Sequence, residues 1–136
     1  AYHVLGQPER ALIDYDEAVR LDSEFAAAYN NRGAAYQDLG QDLPARENYD
    51  RAIRLKPDDA NAYFNRGNIF FKFRQYDRSL RDYSEAIRLN PSNPDAYNNR
   101  GVTLKRLGKF GESERDLAMA AELRLGSQGN TEVDST

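Results

Sequence analysis

The sequence predicts an all-α protein built from repeated pairs of helices. Three similar stretches, AYNNRG, AYFNRG and AYNNRG, begin at residues 28, 62 and 96, which gives a period of 34 residues. Within each unit, apolar residues recur at steps of three and four, the spacing of one helix face. Glycine or proline interrupts the units at intervals and separates the helices.

The elements follow from these interruptions, in chain order. Gly40 and Gly108 suit the left-handed residue that ends a helix, and Pro57 and Pro91 cannot continue one. We predict helices over 8–21, 26–39, 43–55, 60–73, 76–89, 94–107 and 110–124.

Composition limits the function classes. The 136 residues are 40% hydrophobic and 30% charged, which is typical of a folded chain with a core. The net charge of −3 argues against binding to nucleic acid or to an anionic membrane, and no apolar run is long enough to cross a bilayer. The absence of cysteine excludes disulfides, thiolate catalysis and most zinc sites, but it does not choose a compartment.

Recurring small and charged residues predict how the helices pack. Glycine recurs at 33, 67 and 101 and alanine at 18, 52, 86 and 120, and we expect Gly33 to face Ala52 at a close helix crossing. The recurring tyrosines are expected in the core. Arginine recurs at 32, 66 and 100, and aspartate at 14, 82 and 116 with Asn48 breaking the series, which predicts arginine–aspartate pairs between helices.

The pattern resembles the tetratricopeptide repeat, which has an aromatic residue, Leu-Gly, Tyr, then Ala-x₃-Phe and a closing Pro. The first complete unit shows Tyr29, Gly33, Tyr36, Ala45, Tyr49, Ala52 and Pro57. We assign residues 1–125 to the repeat domain, with a partial repeat at 1–25, repeats at 26–59, 60–93 and 94–127, and a polar tail at 126–136. The repeating arginines depart from the family, which usually has leucine there. The resemblance implies a right-handed α-α superhelix whose first helices line a concave groove.

Asparagine recurs in the middle of the predicted first helices, at Asn31, Asn65 and Asn99. Each costs about 0.5 kcal/mol or more in helix propensity relative to alanine. The family resemblance places these residues in the groove, where an amide could bond to both sides of a peptide unit. Similar asparagine ladders occur in the repeat region of the O-linked N-acetylglucosamine transferase. The alternatives are that duplication copied a capping or spacing residue, or that Asn31 and Asn99 only face water.

Further groove residues follow from helical spacing around Asn65. Phe64, Asn68, Phe71 and Lys72 share its face, so the two phenylalanines are predicted to form an exposed anchor for a partner side chain. The alternative is that both rings pack against a neighbouring helix. Asn30, Asn98 and Lys105 complete the predicted peptide-binding set.

Charges at the two ends of the predicted groove differ in sign. Lys72, Lys105, Arg106 and Lys109 are assigned to the far end, and Asp38 and Asp42 to the near end. A ligand that is acidic at one end would be favoured if these charges face the groove. The alternative is an ordinary solvated face.

Residue types argue against two specific functions. A chaperone carboxylate clamp would require lysine, asparagine and arginine at five groove places, of which only Asn65 fits. Catalysis is not indicated, because His3 is the only histidine and the chain has neither a phosphate-binding glycine loop nor a metal-ligand cluster.

The sequence therefore predicts a non-enzymatic protein-interaction module, without cofactors, that binds an extended peptide in its groove. Self-assembly is the alternative. The chain starts inside a first helix and ends without an obvious capping helix, so we expect either a fragment with open stacking ends or ends covered by self-association. Met119, Leu123 and Leu125 would form such a contact.

Overall fold

A computed structural model describes residues 6–134, with side chains described through Gly126. All elements in this range are α-helices: α1 (Gln7–Leu21), α2 (Ala26–Asp38), α3 (Asp42–Leu55), α4 (Ala60–Lys72), α5 (Tyr76–Leu89), α6 (Pro94–Arg106) and α7 (Phe110–Asp134). Each helix packs on its neighbours in sequence, and α4 also contacts α2 and α6. The predicted all-α superhelix of antiparallel helix pairs is confirmed.

The first six helices lie within one residue of their predicted ends. The end of the seventh was placed too early, because α7 continues past 124 to Asp134 and takes in most of the segment predicted as a polar tail. The second helices of the two preceding repeats, α3 and α5, stop shortly before Pro57 and Pro91. Leu125 occupies the corresponding place in the last unit, so no proline forces the backbone out of the helix there.

The turns after α2, α4 and α6 use one backbone conformation at three matching positions. Gly40 has φ 74° and Gly108 has φ 79°, as predicted for helix-ending glycines. The matching position after α4 is Arg74, with φ 60°. A side chain in this region strains the backbone, so the α4–α5 turn is less favourable than its two equivalents.

The core is formed where the small and aromatic repeat positions meet. Tyr49 and Ala45 of α3 pack with Ile69 of α4, and Tyr36 of α2 covers them. The expected partner of Gly33 was wrong: a Cβ on Gly33 would lie 2.8 Å from Cε1 of Tyr49, so the tyrosine ring rather than Ala52 occupies the space beside the glycine. The spacing of Gly33 and Tyr49, repeated at Gly67 and Tyr83, is therefore a packing requirement, because the ring leaves no room for a Cβ on the glycine.

The predicted arginine–aspartate pairs form in two units. Arg66 donates from Nε and Nη2 to the two carboxylate oxygens of buried Asp82, each at 2.8 Å, and from Nη1 to Asp50 at 3.0 Å. Arg100 donates to both oxygens of Asp116 in the same way, at 2.7 and 2.8 Å. Each of these two arginines therefore joins its own helix, α4 or α6, to the helix that follows it, α5 or α7.

The first unit departs from this pattern. Arg32 donates to the amide oxygen of Asn48 at 2.7 Å, as the break in the aspartate series implied. Its second contact, at 3.1 Å, is with Asp16. Asp14, which was expected to pair, is exposed.

Candidate functional site

The helices α2, α4 and α6 lie side by side and carry the repeated asparagines. We use "asparagine face" for the surface formed by Asn31, Asn65 and Asn99 together with the residues three positions later, Ala34, Asn68 and Val102. Positions three apart on a helix are neighbours, so each helix contributes one pair to this face.

The three asparagines differ in their surroundings. Asn31 is exposed and Asn65 is half-buried, and neither side chain forms a hydrogen bond within residues 6–126. Asn99 is half-buried and donates from Nδ2 to Oδ1 of Asn68 at 3.0 Å. The Tyr83 hydroxyl donates to the same Asn68 oxygen. Asn99 therefore has a structural contact that the other two lack, and its second N–H has no side-chain acceptor among the described residues.

A small pocket of about 120 Å³ opens beside this hydrogen-bonded group, between α4, α5 and α6. Phe71 and Val102 supply its apolar wall, and Asn68, Tyr83 and Asn99 supply its polar wall. Burial raises the pKa of the Tyr83 phenol to about 12, so the hydroxyl stays protonated and remains a donor near neutral pH.

A second pocket of about 260 Å³ lies between α1 and α2. Its lining includes Tyr15, Asn31 and Ala34, which stand two repeat periods before Tyr83, Asn99 and Val102. The same three repeat positions therefore line a cavity at both ends of the asparagine face. The tyrosines were predicted to lie in the core and these pockets were not predicted, although the 34-residue register marks their residues.

The two phenylalanines are not the exposed pair that was predicted. Both are half-buried: the Phe64 ring packs against Tyr83 with centroids 5.9 Å apart, and the Phe71 ring packs against Tyr76 at 5.4 Å. Packing against a neighbouring helix, the alternative, is what the structure shows. Phe71 still presents one side to the pocket.

The predicted separation of charges is wrong for Lys72 and Asp42. Nζ of Lys72 lies 2.6 Å from a carboxylate oxygen of Asp42, so a lysine assigned to the far end is paired with an aspartate assigned to the near end. The last turn of α4 and the first turn of α3 meet at this point. Lys105 remains exposed on α6.

The remaining predicted residues border the asparagine face. Asn98 is half-buried and donates to Oδ1 of Asn99 at 3.4 Å. Asn30 is half-buried, and its Oδ1 is enclosed by protein without a donor among the described residues. His3, considered and set aside as a catalytic residue, lies outside the described residues.

The described residues lack two features that other functions would need. No group of three or more histidine or acidic side chains within residues 6–126 is placed to hold a metal ion. None of the helices found between Gln7 and Asp134 combines the length and the apolar character that crossing a membrane requires.

Comparisons with known families identify the repeat. A family model described as "TPR repeat" matches residues 1–40, 44–73 and 75–108, and one described as "Tetratricopeptide repeat" matches 25–56 and 95–125. Together they cover most of the chain. No curated protein sequence matches.

Solved structures with the same architecture include proteins called MamA. One crystal structure of MamA is 25% identical, with a TM-score of 0.83, and the match covers 91% of this chain and 72% of that one. The structure of MamA from residue 41 to the end, from Desulfovibrio magneticus RS-1, is 20% identical with a TM-score of 0.78, covering 89% and 68%. At 20% identity, the second likeness shows the shared fold alone.

Proposed function

The chain belongs to the tetratricopeptide repeat family, and from this premise we propose that its asparagine face binds an extended segment of a protein partner. Proteins of this kind stack helix pairs into a solenoid and use its concave surface as an interaction scaffold. In this family the first helices of the repeats, here α2, α4 and α6, line that surface. The asparagine face is therefore the groove of this scaffold.

The recurrence of one pocket in register is the observation that carries the proposal. A partner in extended conformation presents its backbone at regular intervals, and a repeat protein presents matching sites at regular intervals. The linings of the pockets at Asn31 and Asn99 share three repeat positions. Asn65 lies between them on α4.

The chemistry of the asparagines suits recognition of backbone rather than of particular side chains. An asparagine amide offers two donors and one acceptor, which complement the C=O and N–H of a peptide unit. Asn31 and Asn65 have no competing side-chain hydrogen bonds within the described residues, so their amides are available to a ligand. Asn99 offers one N–H, with Asn30 and Asn98 beside the face.

The pocket at Phe71 and Val102 would hold a partner side chain. Its volume of about 120 Å³ suits a small or medium apolar group, and the surrounding amides would bond to the adjoining backbone. Phe64 packs on Tyr83, which lines this pocket, and so helps to hold the tyrosine ring in place. Lys105, exposed on α6, offers a positive charge near the face, whereas Lys72 already has a carboxylate partner.

Selection from a random peptide library tests this function. Wild-type protein should select peptides, and the Asn31→Ala/Asn65→Ala variant should bind the selected peptides about tenfold more weakly or worse, since each lost hydrogen bond costs about 0.5–1.5 kcal/mol. Glu47→Ala/Glu114→Ala, with two exposed changes on α3 and α7, is the matched control. Failure of the wild type to select any peptide, or equal affinity of both variants, would contradict the proposal.

Self-assembly is a second candidate, favoured by the surface of the last helix. Met119 and Leu125 of α7 are exposed, and Leu123 beside them is half-buried. A second copy could cover these side chains. Sedimentation at several concentrations should then show a mass that rises with concentration in the wild type and not in Met119→Glu/Leu125→Glu. A constant monomer mass would exclude it.

A further inference from the structure

Four arginines from three helices converge on a cavity away from the asparagine face. The cavity has a volume of about 250 Å³ and is lined by Arg46 of α3, Arg66 and Phe70 of α4, and Arg78, Arg81 and Asp82 of α5. We call the four arginines the arginine cluster. None of these residues lines either pocket of the asparagine face.

A buried phenylalanine ring positions three of the four guanidinium groups. The Cζ atom of Arg46 lies 4.8 Å from the centroid of Phe70, and those of Arg66 and Arg78 each lie 5.7 Å from it. Phe70 is only 6% exposed, so it is a fixed platform. Stacking on an aromatic face orients a guanidinium group and leaves its N–H groups free to bond in the plane.

The cluster carries more positive charge than its carboxylates balance. Asp82 is bonded twice by Arg66, and Asp50 accepts a third bond from the same residue. Arg46 has only a distant contact with Asp50, at 3.9 Å, and its buried Nε has no hydrogen-bond partner among the described residues. Four guanidinium groups thus face two carboxylates. Since an unpartnered buried donor is costly, the cavity favours an anion with several acceptor oxygens.

The following repeat shows that this surplus is not a requirement of the fold. The matching cavity one period later, of about 300 Å³, has Leu80, Leu104 and Glu112 where the cluster has Arg46, Phe70 and Arg78. Two arginines there, Arg100 and Arg115, face Glu112 and Asp116. That cavity is balanced in charge, so the repeat packs without the extra arginines.

We propose that the arginine cluster binds a phosphorylated side chain of a protein partner. A phosphate monoester carries a charge close to −2 near neutral pH, which matches the surplus of two positive charges. Its oxygens suit the paired N–H groups of guanidinium forks, whereas a single carboxylate would leave one charge unbalanced. The site is separate from the asparagine face and does not depend on peptide binding there.

The test compares three peptide libraries that are identical except at a fixed central residue: phosphoserine, serine or glutamate. Arg46→Leu/Arg78→Glu installs the residues found one repeat later and should abolish the preference for phosphoserine. Arg10→Glu/Arg54→Leu makes the same change in charge at exposed positions outside the cavity and is the matched control. Asn31→Ala/Asn65→Ala separates this site from the asparagine face.

Wild type should bind phosphoserine peptides about tenfold or more tightly than serine peptides, and the control and asparagine variants should keep this ratio. Equal binding of the phosphoserine and serine libraries would overturn the proposal. An equal loss of preference in the matched control would also overturn it, because net charge would then explain the effect. Binding of a single-stranded RNA oligomer without selection among peptides would overturn it in favour of nucleic acid.

Discussion

Replacing Arg66 with leucine should destabilise the protein far more than the same change at Arg32. Both side chains are 22% exposed, so the packing lost from their stems is comparable. Their partners differ. Arg66 makes two hydrogen bonds to the carboxylate of Asp82, which is 4% exposed, whereas Arg32 bonds to the neutral amide of Asn48.

The expected losses follow from what each change leaves behind. Without Arg66, a buried carboxylate loses its principal counter-ion, which costs about 3–5 kcal/mol. Without Arg32, Asn48 keeps the bond that its Nδ2 donates to the Pro44 carbonyl at 2.8 Å, and exposed Asp16 returns to water. One hydrogen bond to a neutral group is worth about 1 kcal/mol. The two variants should therefore differ by about 2–4 kcal/mol in the free energy of unfolding.

Urea unfolding followed by far-ultraviolet circular dichroism measures this difference. The Arg66→Leu/Asp82→Asn double variant should recover much of the loss, because a neutral amide is cheaper to bury than a carboxylate. Burial raises the pKa of Asp82, partly offset by the bonds from Arg66. A carboxyl with a raised pKa favours folding below its ordinary pKa and loses that contribution as pH rises, so Arg66→Leu should be least harmful in acid. Equal losses at the two arginines, or no recovery in the double variant, would refute this reasoning.

Three further predictions concern backbone strain, close packing and a buried phenol. Arg74→Gly should raise the free energy of unfolding by about 0.5–1 kcal/mol, since φ 60° suits glycine as it does at Gly40; an unchanged melting temperature would contradict this. Gly67→Ala should cost about 1–3 kcal/mol in urea unfolding, because the added Cβ would lie 2.9 Å from Cε1 of Tyr83, while Gly111→Ala, with open space, should be neutral or stabilising. Because burial raises the pKa of Tyr83 to about 12, a phenolate absorbance titration should show a step near 12 that disappears in Tyr83→Phe, while Tyr49, whose pKa burial also raises, keeps its own late step. The stability linked to this phenol is present below its ordinary pKa of about 10 and is lost as pH rises towards 12. A wild-type titration with a single step near 10 would disprove the burial of the phenol.

Most of the fold could be predicted because the helix ends and the ion pairs recur at the same positions in several repeats. Glycine after leucine gave the ends of α2 and α6, and the arginine and aspartate series gave the pairs at Arg66 and Arg100. Where one copy differs, the register helps less. Glycine at 40 and 108 predicts a left-handed turn, whereas Arg74 adopts the same conformation without a sequence signal for it. Leu125 gives no indication of where α7 ends.

The candidate site was harder to predict, because it depends on contacts between repeats. Helical spacing placed Phe64 and Phe71 on one face, but it could not show that Tyr83 and Tyr76 cover their rings. The pairing of Lys72 with Asp42 joins residues 30 positions apart on different helices. The arginine cluster draws on three helices, and only a comparison of each position with its counterpart one period later singles it out.

Titration of one library-selected peptide against wild type and Asn31→Ala/Asn65→Ala, followed by fluorescence anisotropy, tests the central claim most directly. A second peptide, with the same sequence but its backbone amides methylated, removes the donors that the asparagines would bind. We expect each change to weaken binding about tenfold or more and the methylated peptide to bind both proteins equally weakly. Full affinity of the variant for the unmethylated peptide, with its helical content intact, would contradict backbone recognition by the asparagine face.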